Sequence, residues 1–269
     1  MKQPIIIDSD PGIDDAAAIS IALNHPNFDL RMITTVNGNV GIEKTTANAL
    51  KLKRFFSSTV PVHRGSSQPL LSEIVDASAV HGESGMEGYD FPKINYNDLS
   101  STHAVEAMRK ELQSSEDPIT LIPIGPLTNI ALLLSTYPEA AHIVFNSGLP
   151  ITMVGLDVAR SSTLSHATVN ELQSLNKTGD MLHQLFKHYK GDDFEKGINV
   201  YDAYTILYLL HPEKFDVKEA DVQIETTGTL TKGATVTDFN THFPNCSVVM
   251  SIETNDFKKL FIEALKYCI

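Results

Sequence analysis

Residues 4–15, Pro-Ile-Ile-Ile-Asp-Ser-Asp-Pro-Gly-Ile-Asp-Asp, constrain the fold more than any other stretch of the chain. Pro4–Asp8 is a short apolar run of the kind that forms a strand buried on both faces, which requires helices packed on both sides of a parallel sheet. Asp8 and Asp10, two residues apart, share one face of that strand and point together past its carboxyl end. Pro11-Gly12 turns the chain, and Asp14 and Asp15 open the helix predicted over Asp14–Leu23, where acids favour the positive end of the helix dipole. Four carboxylates are thereby crowded where open α/β sheets place their ligands. Such crowding is costly unless a cation is bound or some groups hold protons, and oxygen-only ligands favour a hard ion, Ca²⁺ or Mg²⁺. Two other readings stand beside this one. The acids are a helix-capping pair next to a solvated turn, or Asp8-Ser9-Asp10 is the Asp-x-Asp of a phosphatase whose first Asp attacks phosphorus. The second leaves Asp14-Asp15 unexplained. An EF-hand is excluded, because its glycine position and its twelfth-position Glu are missing.

The rest of the chain continues the rhythm. Strands are predicted at Leu30–Val36, Pro61–His63, Ile119–Ile124 and Ile151–Leu156, and helices at Ile42–Phe56, Thr102–Leu112, Thr128–Ser135 and Pro138–Asn146. Beyond these come helical segments over Val169–Tyr189 and Ala203–Leu210, a hairpin over Val222–Val236 punctuated by Gly228 and Gly233, a strand at Ser247–Glu253, and a closing amphipathic helix at Asp256–Tyr267. The expected class is α/β, a mostly parallel, doubly wound central sheet with helices on both faces. No linker or repeat divides residues 1–269, so a single domain is expected. With 33 Asp+Glu against 21 Lys+Arg the net charge is -12, which argues against nucleic acid or an anionic membrane as the main partner. No apolar run reaches 18 residues, and the N-terminus lacks a signal-peptide core. Cys246 and Cys268 are too few for a disulfide framework. A reduced, soluble, cytoplasmic protein is the expectation.

Several blocks carry a resemblance. They are the N-terminal acidic segment, Thr34-Thr35-Val36-Asn37-Gly38-Asn39, His81-Gly82-Glu83-Ser84-Gly85-Met86 and Gly125-Pro126-Leu127-Thr128-Asn129-Ile130-Ala131. Glu139–Gly148, Met153–Val158 and the stretch from Asp202 to Leu209-Leu210-His211-Pro212 follow in order. In sequence and spacing the chain is similar to the inosine-uridine preferring nucleoside hydrolases from residue 4 to its C-terminal helix. The resemblance implies Ca²⁺-dependent hydrolysis of ribonucleosides to ribose and free base. The ion would hold the ribose 2′- and 3′-hydroxyls and the attacking water. Asp8, Asp10, Asp15, the backbone carbonyl of Ile124 and Asp202 would be its protein ligands, with Asp10 the general base. Asp14 and Asn39 would hold the sugar hydroxyls, and His81 would lie on the pocket rim. A small-molecule riboside is then the partner, and a homodimer or homotetramer the expected assembly.

Each of these residues has a plainer reading: an exposed loop histidine for His81, a helix N-cap for Asp202, a turn residue for Asn39. Two departures from the family pattern stand out. Tyr201 occupies the place of a histidine commonly found before the metal-binding Asp; a tyrosine donates its proton less readily, but it can hydrogen-bond or stack on a base, or simply pack at a helix start. Roughly 30 residues, about one βαβ unit, are also missing between Pro138 and Glu139, and with them one core strand and several sugar contacts. The alternative function is therefore a catalytically inactive relative that binds a ribosyl ligand.

Overall fold

The computed structural model describes residues 2–70, 82–134, 144–160, 162–231 and 233–269. His81, most of the helix predicted over Pro138–Asn146 and the Pro138–Glu139 junction lie outside the described residues.

The apolar run at the N-terminus becomes β1 (Gln3–Ser9), and it is central. It pairs in parallel with β2 (Phe28–Thr35) and with β4 (Thr120–Pro123), and β2 pairs in parallel with β3 (Val62–Arg64), giving the order β3-β2-β1-β4. Alternation along the strands divides the core. Ile5, Ile7, Ile33 and Ile122 belong to one cluster with α1 (Ile13–Asn24) and α2 (Ile42–Phe55). Ile6 and Met32 join Met108 of α3 (Ala104–Ser114) and Ile130 of α4 (Thr128–Leu134) in another. Side chains at i and i+1 of a strand face opposite ways, so a strand of three isoleucines needs helices on both sides and has them. The mostly parallel α/β architecture expected from the sequence is what the structure shows.

A second sheet, ordered β5-β8-β6-β7, contains β5 (Thr152–Val154), β6 (Phe215–Ile224), β7 (Thr235–Asp238) and β8 (Cys246–Ile252). Here β5 and β8 are parallel and the other pairs antiparallel. The two sheets end on β4 and β5. Between those strands lies a cavity of about 320 Å³, lined by residues of both and by Leu127, Val144, Tyr208 and Leu209.

Three segments differ from expectation. The strand predicted over Ile151–Leu156 stops at Val154, and α5 (Leu156–Arg160) follows. The helix expected over Val169–Tyr189 is two helices, α6 (His166–Leu172) and α7 (Lys177–Lys190). Asn176 makes the break: its Oδ1 accepts from Gly179 N at 2.8 Å, capping α7, while its Nδ2 donates to the Leu265 and Cys268 carbonyls. The predicted hairpin is present, but β6 starts at Phe215, because Phe215–Ala220 pair with Ile252–Cys246 of β8.

α8 (Ala203–Leu210) packs on α1 and on α9 (Thr254–Leu265). Tyr204 fixes it there. Its ring is fully buried and stacks on Phe257 at 3.9 Å between centroids, and its hydroxyl donates to the Ser162 carbonyl. Tyr204→Ala leaves a large cavity under α8 and is expected to cost about 3–5 kcal/mol. Thermal unfolding followed by circular dichroism should show a Tm lower by roughly 10 °C; an unchanged Tm would contradict this account of how α8 is held.

Candidate active site

Every acidic residue singled out in the sequence arrives at one place, by two routes. β1 carries Asp8 to its last hydrogen-bonded positions and releases Asp10 beyond them, while α1 brings Asp14 and Asp15 back in its first turn. α8 supplies Asp202 just before its first residue. Asp202 makes no side-chain cap hydrogen bond to α8, so helix capping does not explain it.

Asp8 is buried, and its Oδ1 accepts from Thr34 Oγ1 at 2.6 Å and from Asn129 Nδ2 at 2.8 Å. Its Oδ2 is buried with no hydrogen-bond partner. Burial pushes the Asp8 carboxyl up to about 6, against the pull of those two donors. Ile124 is anchored beside it, the Ile124 N–H donating to the Asp8 carbonyl at 2.9 Å.

Asp10 sits in a cradle of glycines. Its Oδ2 accepts from the Asn39 N–H at 2.7 Å. A Cβ on Gly38 would lie 2.0 Å from that same oxygen, and one on Gly125 would lie 2.8 Å from Oδ1. The approach is close enough that only glycine fits. Burial and the Asp15 carboxylate together raise Asp10 well above the usual carboxylate range.

Asp15 is held from three sides: Ser9 Oγ donates to Oδ1 at 2.6 Å, and Gly12 N and Asn39 Nδ2 donate to Oδ2 at 2.8 and 3.1 Å. Asn39 also donates Nδ2 to the Asp10 carbonyl at 3.0 Å. It is therefore a bracket between the strand end and the helix start rather than a plain turn residue. Asn48 of α2 ties the Pro11 carbonyl to that of Ser84, at 2.9 and 2.8 Å, and so seats the loop that follows His81 against the acidic turn.

Carboxylate oxygens of Asp14, Asp15 and Asp202 all lie within 4.8 Å of one another. The tightest trio thus includes Asp14, expected on the sugar, with Asp8 and Asp10 flanking it from the strand. Burial, followed by the Asp14, Asp15 and Asp10 charges, drives Asp202 well above the ordinary range, and Asp202 makes a side-chain hydrogen bond with Asp15. Burial lifts Asp14 to about 6. Two carboxylates at hydrogen-bond distance need a shared proton or a cation between them. Together with the orphaned Asp8 Oδ2 and an all-oxygen donor set, this fits a hard divalent ion.

Tyr201 is half-buried against the main core, with its hydroxyl accepting a long 3.4 Å bond from Asn199 Nδ2. Tyr189, in the last turn of α7, was not anticipated. Burial and then the charges of Asp14 and Tyr201 raise its hydroxyl, so Tyr189 is within electrostatic reach of both. Thr34 and Asn129 were also missed as partners of Asp8, although both sit inside sequence blocks that carried the resemblance.

The model describing the inosine-uridine preferring nucleoside hydrolases matches residues 5–140 and 136–259. A non-specific ribonucleoside hydrolase, RihC, from Klebsiella pneumoniae is 42% identical over 301 aligned positions covering 98% of this chain and 99% of its own. Its namesake from Salmonella typhimurium is 42% identical over 299, covering 98% and 97%. Among solved structures, an inosine-guanosine nucleoside hydrolase shares the fold with a TM-score of 0.90 at 24% identity, over 99% of this chain and 100% of that one. The Klebsiella alignment has 301 positions against a chain of 269 residues, so at least 32 of them face gaps here. The family match breaks at 136–140.

Two measurements check the site. Gly38→Ala should push the Asp10 carboxylate aside and lower divalent-ion affinity at least about tenfold by calorimetry, a loss of about 1.4 kcal/mol, with Tm within a few degrees of the parent. In chelator, the raised Asp8 works against folding: the native state binds the extra proton, so stability falls as pH rises from about 4 through about 6. Asp8→Asn keeps an acceptor for Thr34 and Asn129 without the charge. It should be more stable than the parent at pH 7, on the order of 2–3 kcal/mol, and no more stable at pH 4; thermal denaturation at both pH values decides.

Proposed function

The chain belongs to the inosine-uridine preferring nucleoside hydrolase family, and we propose that it is a Ca²⁺-dependent nucleoside N-ribohydrolase releasing ribose and free base from purine and pyrimidine ribosides. The observation that carries this reading is the convergence of Asp8, Asp10, Asp14, Asp15 and Asp202 at the carboxyl end of β1, in a chain aligned nearly end to end with ribonucleoside hydrolases.

Asp8, Asp15, Asp202 and the Ile124 carbonyl would hold the ion, with Asp10 at its margin. When bound, Ca²⁺ supplies a fixed positive charge that orients vicinal hydroxyls and makes water easier to deprotonate. Asp10 takes the proton of the attacking water. Its carboxylate is aimed by the Asn39 N–H and kept apart from bulk solvent, which suits a general base. Asn39 uses its side-chain N–H groups on Asp10 and Asp15, leaving Oδ1 to accept from a ribose hydroxyl. Asp14 accepts from another. As the glycosidic bond lengthens, positive charge builds on the ribosyl ring, and the fixed carboxylates around it stabilise that charge more than they stabilise the neutral substrate.

Tyr201 and Tyr189 would meet the leaving base, Tyr189 being within electrostatic reach of both Asp14 and Tyr201. By the resemblance to the family Tyr201 takes the place of a histidine, so a hydroxyl there would hydrogen-bond the leaving base without the ready proton of an imidazole. The reading of an inactive, ribosyl-binding relative is not favoured, since the 42%-identical relatives are ribonucleoside hydrolases.

Reducing-sugar release from inosine, uridine and cytidine tests the proposal. The parent should turn over at least one of them, lose activity in chelator and regain it with CaCl₂. Asp10→Asn should lower kcat on the order of 10²–10⁴-fold even at calcium concentrations that saturate the variant, with saturation verified by calorimetry. Absence of turnover on all three with calcium demonstrably bound would reject the hydrolase assignment and restore the binding-only reading.

A further inference from the structure

The cavity between the two sheets has the form of a vacated strand position. On one side stands β4. The Ile124 N–H donates to the Asp8 carbonyl, on the β1 side, and alternation then turns the Leu121 N–H and the Leu121 and Pro123 carbonyls the other way, into the cavity. On the far side stands β5. Ser247 N donates to the Ile151 carbonyl at 2.9 Å, so Ile151 and Met153 face β8, and the backbone groups of Thr152 and Val154 face the cavity. Among the described residues neither edge has a strand partner there. The remaining walls are helical. Leu127, beside α4, lies on one face and Tyr208 of α8 on the other, the same two helical layers that sandwich β1 and β4.

We propose that this slot is a β-strand acceptor for an extended peptide supplied by a different protein. The peptide pairs its backbone with Leu121 on one edge and with Thr152 and Val154 on the other, bridging the two sheets into one. Its chemistry follows from the walls. A strand covered on both faces is an unbroken aliphatic run of about five residues, free of charge and proline. An open edge that pairs with a foreign strand is the general route of strand addition; a slot with two such edges provides twice the backbone pairing. Independent support comes from chain length. The alignment with the Klebsiella relative leaves at least 32 positions without a residue here, and the family match breaks at 136–140, between β4 and β5 in the chain. The walls have been kept while chain that relatives carry at that point has been lost.

A soluble probe is the peptide Lys-Lys-Val-Ile-Val-Ile-Val-Lys-Lys, acetylated and amidated, titrated into the full-length chain. Binding should saturate at one peptide per chain by calorimetry and raise Tm by about 5 °C at a hundredfold excess over Kd. The same peptide N-methylated at alternate residues has the same charge and side chains but lacks the donors along one of its two edges, and it should bind at least tenfold more weakly. Thr152→Pro removes a donor that faces the slot while sparing the Ile151 carbonyl used by β8; its Tm without peptide should match the parent's, and the shift on adding peptide should disappear. Equal binding of the methylated peptide, or a shift that survives Thr152→Pro in a folded protein, overturns the proposal. So does a concentration-dependent dimer by light scattering that Thr152→Pro converts to monomer, because a second copy is then the occupant.

Discussion

Mutual repulsion among four carboxylates, those of Asp10, Asp14, Asp15 and Asp202, beside the buried carboxylate of Asp8 at the end of β1, is the constraint around which the rest of this molecule is arranged. Asp8, Asp10 and Asp15 are buried, and Asp14 and Asp202 are half-buried beside them. Unscreened, such a group would drive the strand end and the helix starts apart. The fold opposes this with neutral donors: Thr34 and Asn129 on Asp8, the Asn39 N–H on Asp10, Ser9 and the Gly12 N–H on Asp15. Two helix N-termini, those of α1 and α8, add their partial positive charge. These devices lessen the repulsion without cancelling it: neighbouring carboxylates add to burial in raising the proton affinity of Asp10 and Asp202, while burial alone raises Asp8 and Asp14. What remains is the electrostatic demand that a divalent ion satisfies.

Packing far from the acids keeps their geometry. The stack of Tyr204 on Phe257 holds α8 against α9, and so determines where Asp202 stands. Gly38 and Gly125 act by having no side chain, since the space their Cβ atoms would occupy is the space the Asp10 carboxylate fills. Asn48 reaches from α2 to clamp the Pro11 turn and the Ser84 loop together. Core, turn and loop therefore converge on the same few ångströms, and changes in any of them reach the site through position rather than through contact with substrate.

Much of this was legible in the chain. The bare apolar run of Pro4–Asp8 dictated a central parallel strand, and the i, i+2 spacing with a Pro-Gly turn placed four acids together. What escaped reading depends on contacts between residues distant in sequence. Asn129 meets Asp8 across 121 positions, and nothing local to Gly-Pro-Leu-Thr-Asn says that its amide turns toward an aspartate. The division of Val169–Tyr189 depends on Asn176 reaching the Leu265 and Cys268 carbonyls near the C-terminus, so helical periodicity alone ran straight through it. The early start of β6 has the same cause: exposed residues such as Asp216 and Lys218 weaken the alternation, and β8 supplies the pairing that makes a strand of them. Asp14 joined the tightest acidic trio because α8 delivers Asp202 to the helix side of the turn, a matter of tertiary packing.

The interruption between β4 and β5 has a mechanical consequence. Among the described residues each backbone ladder ends there, so no run of hydrogen bonds carries shear from one sheet to the other. The load passes through side chains instead: a single apolar cluster takes in Ile5, Ile7 and Ile122 of the first sheet together with Phe215, Val249 and Ile252 of the second, and such a junction is non-directional where a ladder is not.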